Sequence, residues 1–384
     1  MRKYAGLFFL TMFLIGTDTF LISPLLPTLA HLYGISTAIS GWMVSAYAIG
    51  YACFALISGP IADGHDRKQV MLWGLFAFAG STFLCGWATS FSWMLIFRFL
   101  AGVSASFITP QVWATIPVII DRQNVVKVMG YATAGLSVSQ LIGIPIGSYL
   151  AAWSWQTPFF IISLAALLLL GLTAWTFPHL TTSLTTAKSF ITIYTNVLHN
   201  SRALVYLLAY LVFQTGSFTV MTFISTWFTA DFGLRLTGVG TAMIAIGAGN
   251  LLGSLFGSRL VDWLSLPTAF LIELITLIGL YLIIAWVHTF WLAEILLTIA
   301  FVINGCLFPL FMTTLQATAR HARSTISSLS NAAIYLGETV AGITGGVLFK
   351  QFTSYRGIGL FAATMIGVAL IIYVQSGLFK LRSN

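Results

Sequence analysis

A chain of 384 residues with only 7% charged and 58% hydrophobic side chains cannot cover a soluble domain with polar surface. The formal charge of +8 would point to nucleic acid on a soluble protein. In a membrane chain it points instead to cytosolic loops rich in Lys and Arg, and no nucleic-acid partner is expected.

Apolar runs of the roughly 20 residues needed to span a bilayer fall at about 5–30, 38–62, 69–89, 92–119, 126–150, 155–177, 202–230, 237–261, 266–287, 289–317, 326–349 and 356–379. They are too long for barrel strands and lack period-2 alternation. The expected class is an all-α membrane protein of twelve transmembrane helices. The start, MRKYAGLFFLTMFLIG, resembles a signal peptide, but its apolar run is long and no small-residue cleavage site follows, so it reads as an uncleaved first helix. Threading from a cytosolic N-terminus puts Arg235, Lys350 and Arg356 outside and leaves Arg98 within a helix; the other Lys and Arg of the 17 fall inside. Both termini are then cytoplasmic in a multi-pass cell-membrane protein.

In the first helix, Asp18 lies near the bilayer centre, where the low dielectric opposes a charged carboxyl and suits a group that binds and releases a proton. A structural Asp bonded to nearby Thr or Ser is the alternative. Pro24 and Pro27 follow in the same helix and permit bending. After helix two comes GPIADGHDRKQVM, residues 59–71, where charge is crowded into a very short connection. Asp63 there sits at a helix C-terminus, which disfavours negative charge, so it needs a partner. The start of helix eleven, near Ser324 to Ser328, offers one, and Arg67, Lys68 and Asp121 complete an expected cytosolic gate. A plain solvated turn is the other reading. Arg98, inside helix four, needs backbone carbonyls or Asp18 as partner unless it snorkels to the outer interface.

The polar connection 178–201 separates residues 1–177 from 202–384, which are expected to form two six-helix bundles joined by a cytosolic linker. A shift of 199 residues superposes Asp63 on Asp262, Pro110 on Pro309, Gly143 on Gly342 and Gly147 on Gly346. By that repeat, Asp262 should face the start of helix five near Val125. Two parallel six-helix repeats around a central cavity are a transporter plan. Glu338 in helix eleven falls on Ser139 and breaks the symmetry, as a second proton site, a contact for a cationic substrate or a structural group. Glu273 and Glu294 lie nearer helix ends, where snorkelling is easier. Tyr47, Gln111, Gln140, Gln214, Asn250, Asn304 and Asn331 are polar groups in apolar helices that must find partners, meet water or touch substrate. Trp113, Phe218, Met221 and Phe223 are candidate apolar walls for the same cavity.

Three motifs carry a family resemblance. GPIADGHDRKQVM resembles the major facilitator superfamily loop Gly-x-Leu-Ala-Asp-Arg-x-Gly-Arg-Lys through Gly59, Ala62, Asp63, Arg67 and Lys68, with Gly64 for the usual basic residue and Asp66 for the usual Gly. RFLAGVSAS resembles the helix-four motif through Arg98 and Gly102, with Ala101 in place of Gln. GLSVSQLIGIPIGSYL resembles the helix-five motif of the antiporter branch through Gly135, Gly143, Pro145 and Gly147. The resemblance implies a twelve-helix drug:proton antiporter, with Asp18 and Arg98 in proton coupling. It also implies that helix five meets helix eight and helix two meets helix eleven, on faces smoothed by glycines such as Gly249, Gly253 and Gly257.

The expected function is proton-coupled efflux of a small lipophilic compound. The alternative is a proton-coupled exporter of a metabolite such as a sugar or nucleobase. No His-Glu-x-x-His, Gly-x-Ser-x-Gly or Gly-x4-Gly-Lys-Ser/Thr stretch occurs, so neither an enzyme nor an ATP-driven pump is expected. No cofactor or metal is called for, Cys53, Cys85 and Cys306 have no ligand spacing, and the chain is expected to work as a monomer.

Overall fold

The computed structural model describes residues 2–63, 65–180, 199–318, 323–352 and 354–379, excluding the side chains at 59–60, 62–63, 126, 258–262 and 323–324. The described elements are helices: α1 Arg2–Leu32, α2 Trp42–Asp63, α3 Arg67–Gly86, α4 Phe91–Ile119, then α5 from Val125–Val138 through Ser139–Gly143 to Ile144–Trp153, and α6 Thr157–Thr176. The second series is α7 Ser201–Phe232, α8 Leu236–Leu264, α9 Leu266–Ile284, α10 Phe290–Thr318, α11 Arg323–Phe352 and α12 Arg356–Gln375. Among the described residues, twelve helices are long and apolar enough to cross a membrane. This is the expected all-helical class, the form that pairs backbone amides within a segment as a hydrocarbon solvent demands.

Local chemistry sets the ends. Ser90 caps α4 by accepting from the Trp93 N–H, and Asn200 caps α7 by accepting from the N–H groups of Arg202 and Ala203. Gly233 ends α7 in the left-handed region at φ 65°. Two expected helices are subdivided. A separate turn, Thr37–Ser40, precedes α2. In α5, Ser139–Gly143 is a π-helical turn, in which the Ile144 N–H bonds the Ser139 carbonyl. Pro145 follows at once and has no N–H to offer, so the widened turn absorbs the break.

The chain forms two compact units, Met1–Ser36 with Trp42–Ala187 and Leu234–Ile244, and Thr37–Gly41 with Lys188–Gly233 and Ala245–Asn384. Two short pieces therefore depart from a simple division at the linker, and close contacts explain both. In the second unit a side chain at Gly41 would strike the Gly342 carbonyl, and one at Gly346 would strike that of Ala38. In the first unit Gly240 lies against Ser148, and Tyr149 hydrogen-bonds Thr241 at 2.7 Å.

Inside each unit the same pairs meet. In the first, α2 packs on α4, α3 on α6, and α1 on α5 and α6; in the second, α9 packs on α12, and α7 on α11 and α12. The counterpart of the α2–α4 seam is α8 on α10, where Gly249, Gly253 and Gly257 lie against Thr298, Val302 and Cys306. These glycines thus face α10 rather than the expected helix five. Gly135, Gly143 and Gly147 of α5 likewise lie against Phe9, Thr17 and Leu21 of α1. Exposed tryptophans mark the ends of each unit as they do at membrane interfaces. In the first unit Trp87, Trp93 and Trp153 stand opposite Trp175, and in the second Trp286 and Trp291 stand opposite Trp263.

Candidate functional site

Asp18 sits midway along α1, between Thr17 and Thr19, whose hydroxyls donate to the carbonyls of Phe13 and Ile15 at 2.7 and 2.8 Å. Those back-bonds settle the threonines on their own helix and leave the Asp18 carboxylate to look outward from it. It meets Arg98 of α4. Arg98 Nη1 donates to Asp18 Oδ2 at 2.9 Å and Nη2 to the Asp18 carbonyl at 3.4 Å. Both side chains are 0% exposed. Of the two partners expected for Arg98, a carboxylate and a backbone carbonyl, the same residue supplies both. Snorkelling does not occur.

Tyr47 of α2 completes the site. Its ring lies under the guanidinium, 4.4 Å from the centroid, and its hydroxyl is 3.1 Å from Thr19 Oγ1. Gly102 makes this possible, because a side chain there would fall 2.0 Å from the Tyr47 carbonyl oxygen. On the far side of α1, the π-helical turn of α5 presses Ser139 against Gly16 and Gly143 against Thr17. The pair is sealed but not saturated: Asp18 Oδ1 and Arg98 Nε are buried without a hydrogen-bond partner. A buried ion pair with spare valences on both members is costly and readily displaced from balance.

The chain thus holds a buried Asp–Arg pair at mid-helix within the first of two helical units. Residues 8–342 match the Major Facilitator Superfamily. The chain belongs to that superfamily. It is 46% identical over 368 residues to the uncharacterized MFS-type transporter YceJ of Bacillus subtilis (strain 168), covering 96% of this chain and 94% of the relative. It is 28% identical to Multidrug resistance protein 1 of the same organism, over 92% of this chain and 91% of that one. Among solved structures, a D-xylose-proton symporter superposes with TM-score 0.80 at 15% identity, covering 97% of each chain. Nucleoside transporter NupG superposes with TM-score 0.75 at 15% identity, covering 99% of each. These two show the fold alone. The protein is therefore a multi-pass membrane transporter, and not an enzyme.

The superfamily's loop motif is only partly described: Gly59, Asp63 and Asp262 lie in helices, but their side chains fall outside the described residues. Lys68 is half-buried and Asp121 is exposed just after α4. The residue that organises this loop is Asp66, which stands where the family has Gly. It caps α3 by accepting from the Lys68 N–H at 3.0 Å, accepts from the Leu180 N–H at 3.1 Å, and pairs with the His179 ring. The Arg67 N–H returns to the Leu180 carbonyl at 3.4 Å. Partial burial pushes the Asp66 carboxyl up, but the His179 and backbone hydrogen bonds outweigh it and hold the group below the ordinary aspartate range. The loop is thus tied to the first residues after α6.

Glu338 is buried in α11, next to Gly337, which lies against Gln214 and Thr215 of α7. Glu273 and Glu294 are also buried, at 3% and 8% exposure, so the expected snorkelling to a helix end is wrong. Both lie on faces of α9 and α10 that pack inside the second unit, and both Glu273 oxygens lack a hydrogen-bond partner. Gln111 is buried with Oε1 unpartnered, while Gln140, Asn250 and Asn331 are half-buried. Gln214 donates to the Tyr210 hydroxyl at 3.2 Å. Asn304 accepts from Ser217 at 3.1 Å and donates to the Tyr281 hydroxyl at 3.1 Å and the Ala300 carbonyl at 2.9 Å, which makes it a tie among α7, α9 and α10.

Proposed function

We propose that this transporter exports a small lipophilic compound in exchange for protons by alternating access, with Asp18 as the group that binds the proton. The observation that carries the reading is the fully buried Asp18–Arg98 pair whose Oδ1 has no partner. Protonation of Asp18 would cancel its charge and leave Arg98 buried without a counter-ion. Arg cannot shed its own proton, so relief must come from a change of conformation. In the state seen here neither side chain meets water, so proton exchange belongs to a second state in which Asp18 is wetted. A proton that binds one state better than the other shifts the balance between them, and a substrate with the opposite preference is exchanged for it. The likeness to Multidrug resistance protein 1 supports a lipophilic substrate. In this reading Glu338 is a second proton-binding group, the loop around Asp63 with its repeat partner Asp262 is the cytosolic gate, and both termini are cytoplasmic.

The test is proton flux. The protein is reconstituted in liposomes with a pH gradient and an internal pH dye, and cationic and neutral drugs, sugars and nucleobases are added in turn. The reading requires that a lipophilic compound release protons with wild type and not with Asp18→Asn. Equal responses from the two would make Asp18 structural and move the role to Glu338. Flux driven by a sugar or nucleobase alone would replace the drug reading with the metabolite one.

A further inference from the structure

The Asp18–Arg98 pair has a neighbour that the ion pair itself does not require. Tyr47, like Asp18 and Arg98, is 0% exposed. Among the described residues the guanidinium makes its ion pair with Asp18 alone. Its Nε has no hydrogen-bond partner, and its second bond, from Nη2 to the Asp18 carbonyl, is long at 3.4 Å. The Tyr47 ring lies with its centroid 4.4 Å from the guanidinium and offers it a π face. Glycines fix that placement. A side chain at Gly102 would strike the Tyr47 carbonyl, and one at Gly50 the Phe99 carbonyl, so α2 and α4 meet backbone to backbone around the ring.

The second half of the chain shows what the ring accompanies. Shifted by 199 residues, Arg98 falls on Leu297 and Tyr47 on Ile246, both buried. The seam of α8 and α10 is just as close, with Gly249 against Thr298 and Gly253 against Val302. A π face therefore stands in the seam that holds a cation, and an aliphatic side chain in the seam that holds none. Close backbone packing alone does not call for the aromatic. The Tyr47 hydroxyl is also 3.1 Å from Thr19 Oγ1, beside Asp18 on α1. The ring thus touches the cation and is tied to the helix that carries the carboxylate.

We propose that Tyr47 is a positioning residue of the proton-coupling site, and that its ring holds Arg98 in place while Asp18 is neutral. The inference rests on Asp18 as the group that binds the proton. Once that proton is bound the charge on Arg98 remains, because a guanidinium does not give up its own proton. The attraction of the carboxylate is gone, and the ring face and the Asp18 carbonyl stay within reach. A π face attracts a cation more when no anion neutralises it, and more again away from water. The ring keeps the guanidinium in the α2–α4 seam, so the ion pair re-forms at the same place when the proton leaves.

The experiment is a pair of mutant cycles, read as midpoints of thermal unfolding of the full chain in one detergent at one scan rate. Asp18→Asn stands in for the neutral carboxyl, and Arg98→Gln removes the cation. Tyr47→Leu removes the ring and leaves the same gap in every background, so the differences between backgrounds report its interaction with the charge. It should lower the midpoint about twice as far in Asp18→Asn as in wild type, and least in Arg98→Gln. Tyr47→Phe keeps the π face and should cost less than Tyr47→Leu wherever Arg98 is present. Equal losses from Tyr47→Leu in all three backgrounds would reduce the residue to packing and overturn the proposal. Equal losses from Tyr47→Phe and Tyr47→Leu would move the role to the hydroxyl and overturn it too. Should Asp18→Asn yield no folded protein, the comparison of wild type with Arg98→Gln decides alone. No reading here involves proton flux, so failure of the Asp18 reading shows separately, as equal proton release by wild type and Asp18→Asn.

Discussion

Arg98 and Asp18 meet in full burial at 2.9 Å, yet the repeat-equivalent positions of the second half carry no ionisable side chains. The residues 199 positions after Asp18, Arg98 and Tyr47 are Ser217, Leu297 and Ile246. The surrounding frame is shared all the same. Gly50 lies against the Phe99 carbonyl in the first unit, and Gly249 against that of Thr298, its repeat equivalent, in the second. One scaffold therefore accepts both a charged and an apolar solution at this place.

That comparison yields a stability prediction. Asp18→Asn leaves Arg98 charged and buried, at a cost of about 3–5 kcal/mol. Arg98→Gln should cost less, because a lone buried Asp18 can take up a proton and become neutral. The double variant Asp18→Ser with Arg98→Leu copies the second half and should be neutral or stabilising relative to wild type, while transport is lost. Thermal unfolding in detergent, followed by tryptophan fluorescence, ranks the three. If the double variant is less stable than wild type, the pair is a net stabiliser and the frame is not interchangeable.

The glycines give a sharper contrast. A methyl at Gly102 would sit 2.0 Å from the Tyr47 carbonyl oxygen, so Gly102→Ala must push α2 from α4 and tilt the ring under Arg98. The expected cost is about 1–3 kcal/mol, with reduced transport. Nothing lies within 4 Å of a methyl at Gly171, so Gly171→Ala should be neutral or slightly stabilising. The two variants differ only in position, and a transport assay beside a melting curve separates them.

Much of this was legible in the chain itself. Twelve long apolar runs can only be spanning helices, and an Arg inside one of them demands a partner. Asp18 and the backbone were both open as that partner, since nothing local links positions 80 residues apart. Glycine spacing announced close approach without saying to what. Gly249, Gly253 and Gly257 turned to α10, and the helix-five glycines to α1, because a small residue fits any neighbour equally well. Glu273 was misread for a related reason. Its helix is apolar all round, so the sequence carries no stripe to say which face is inward. Tyr47 was read as one of a loose polar set, and only the fold shows it beneath the guanidinium. The departure at Asp66 was visible, but its partners lie more than a hundred residues on.

Asp66→Gly restores the usual family residue and should loosen this chain. It removes the α3 cap, worth about 1 kcal/mol, and both ties to the segment after α6. Limited proteolysis should then cut after Leu180 faster than in wild type, while the rest of the chain resists as before. The tie also has a pH sign. A carboxyl held below its ordinary value of 3.8 stabilises the fold above that pH, and the contribution fades as pH falls through the lowered value. Hydrogen exchange at the Leu180 N–H, corrected for its intrinsic rate, should show protection at pH 6 that weakens below about pH 4. Protection unchanged across that range would mean that the carboxylate is not what holds the segment.

Glu273 poses the opposite case, a buried carboxyl that makes the fold worse. It is 3% exposed and neither oxygen has a hydrogen-bond partner, so its polarity is a cost with nothing returned within the second unit. Replacing it with an apolar side chain of similar length removes that cost and keeps the volume. Glu273→Met should therefore raise thermal stability by about 1–3 kcal/mol, whereas Glu273→Gln, which keeps an unmet polar group, should change it little. A melting comparison of the two variants against wild type decides the point. Destabilisation by Glu273→Met would show that the carboxyl has a partner in the working protein, such as water or a bound ion.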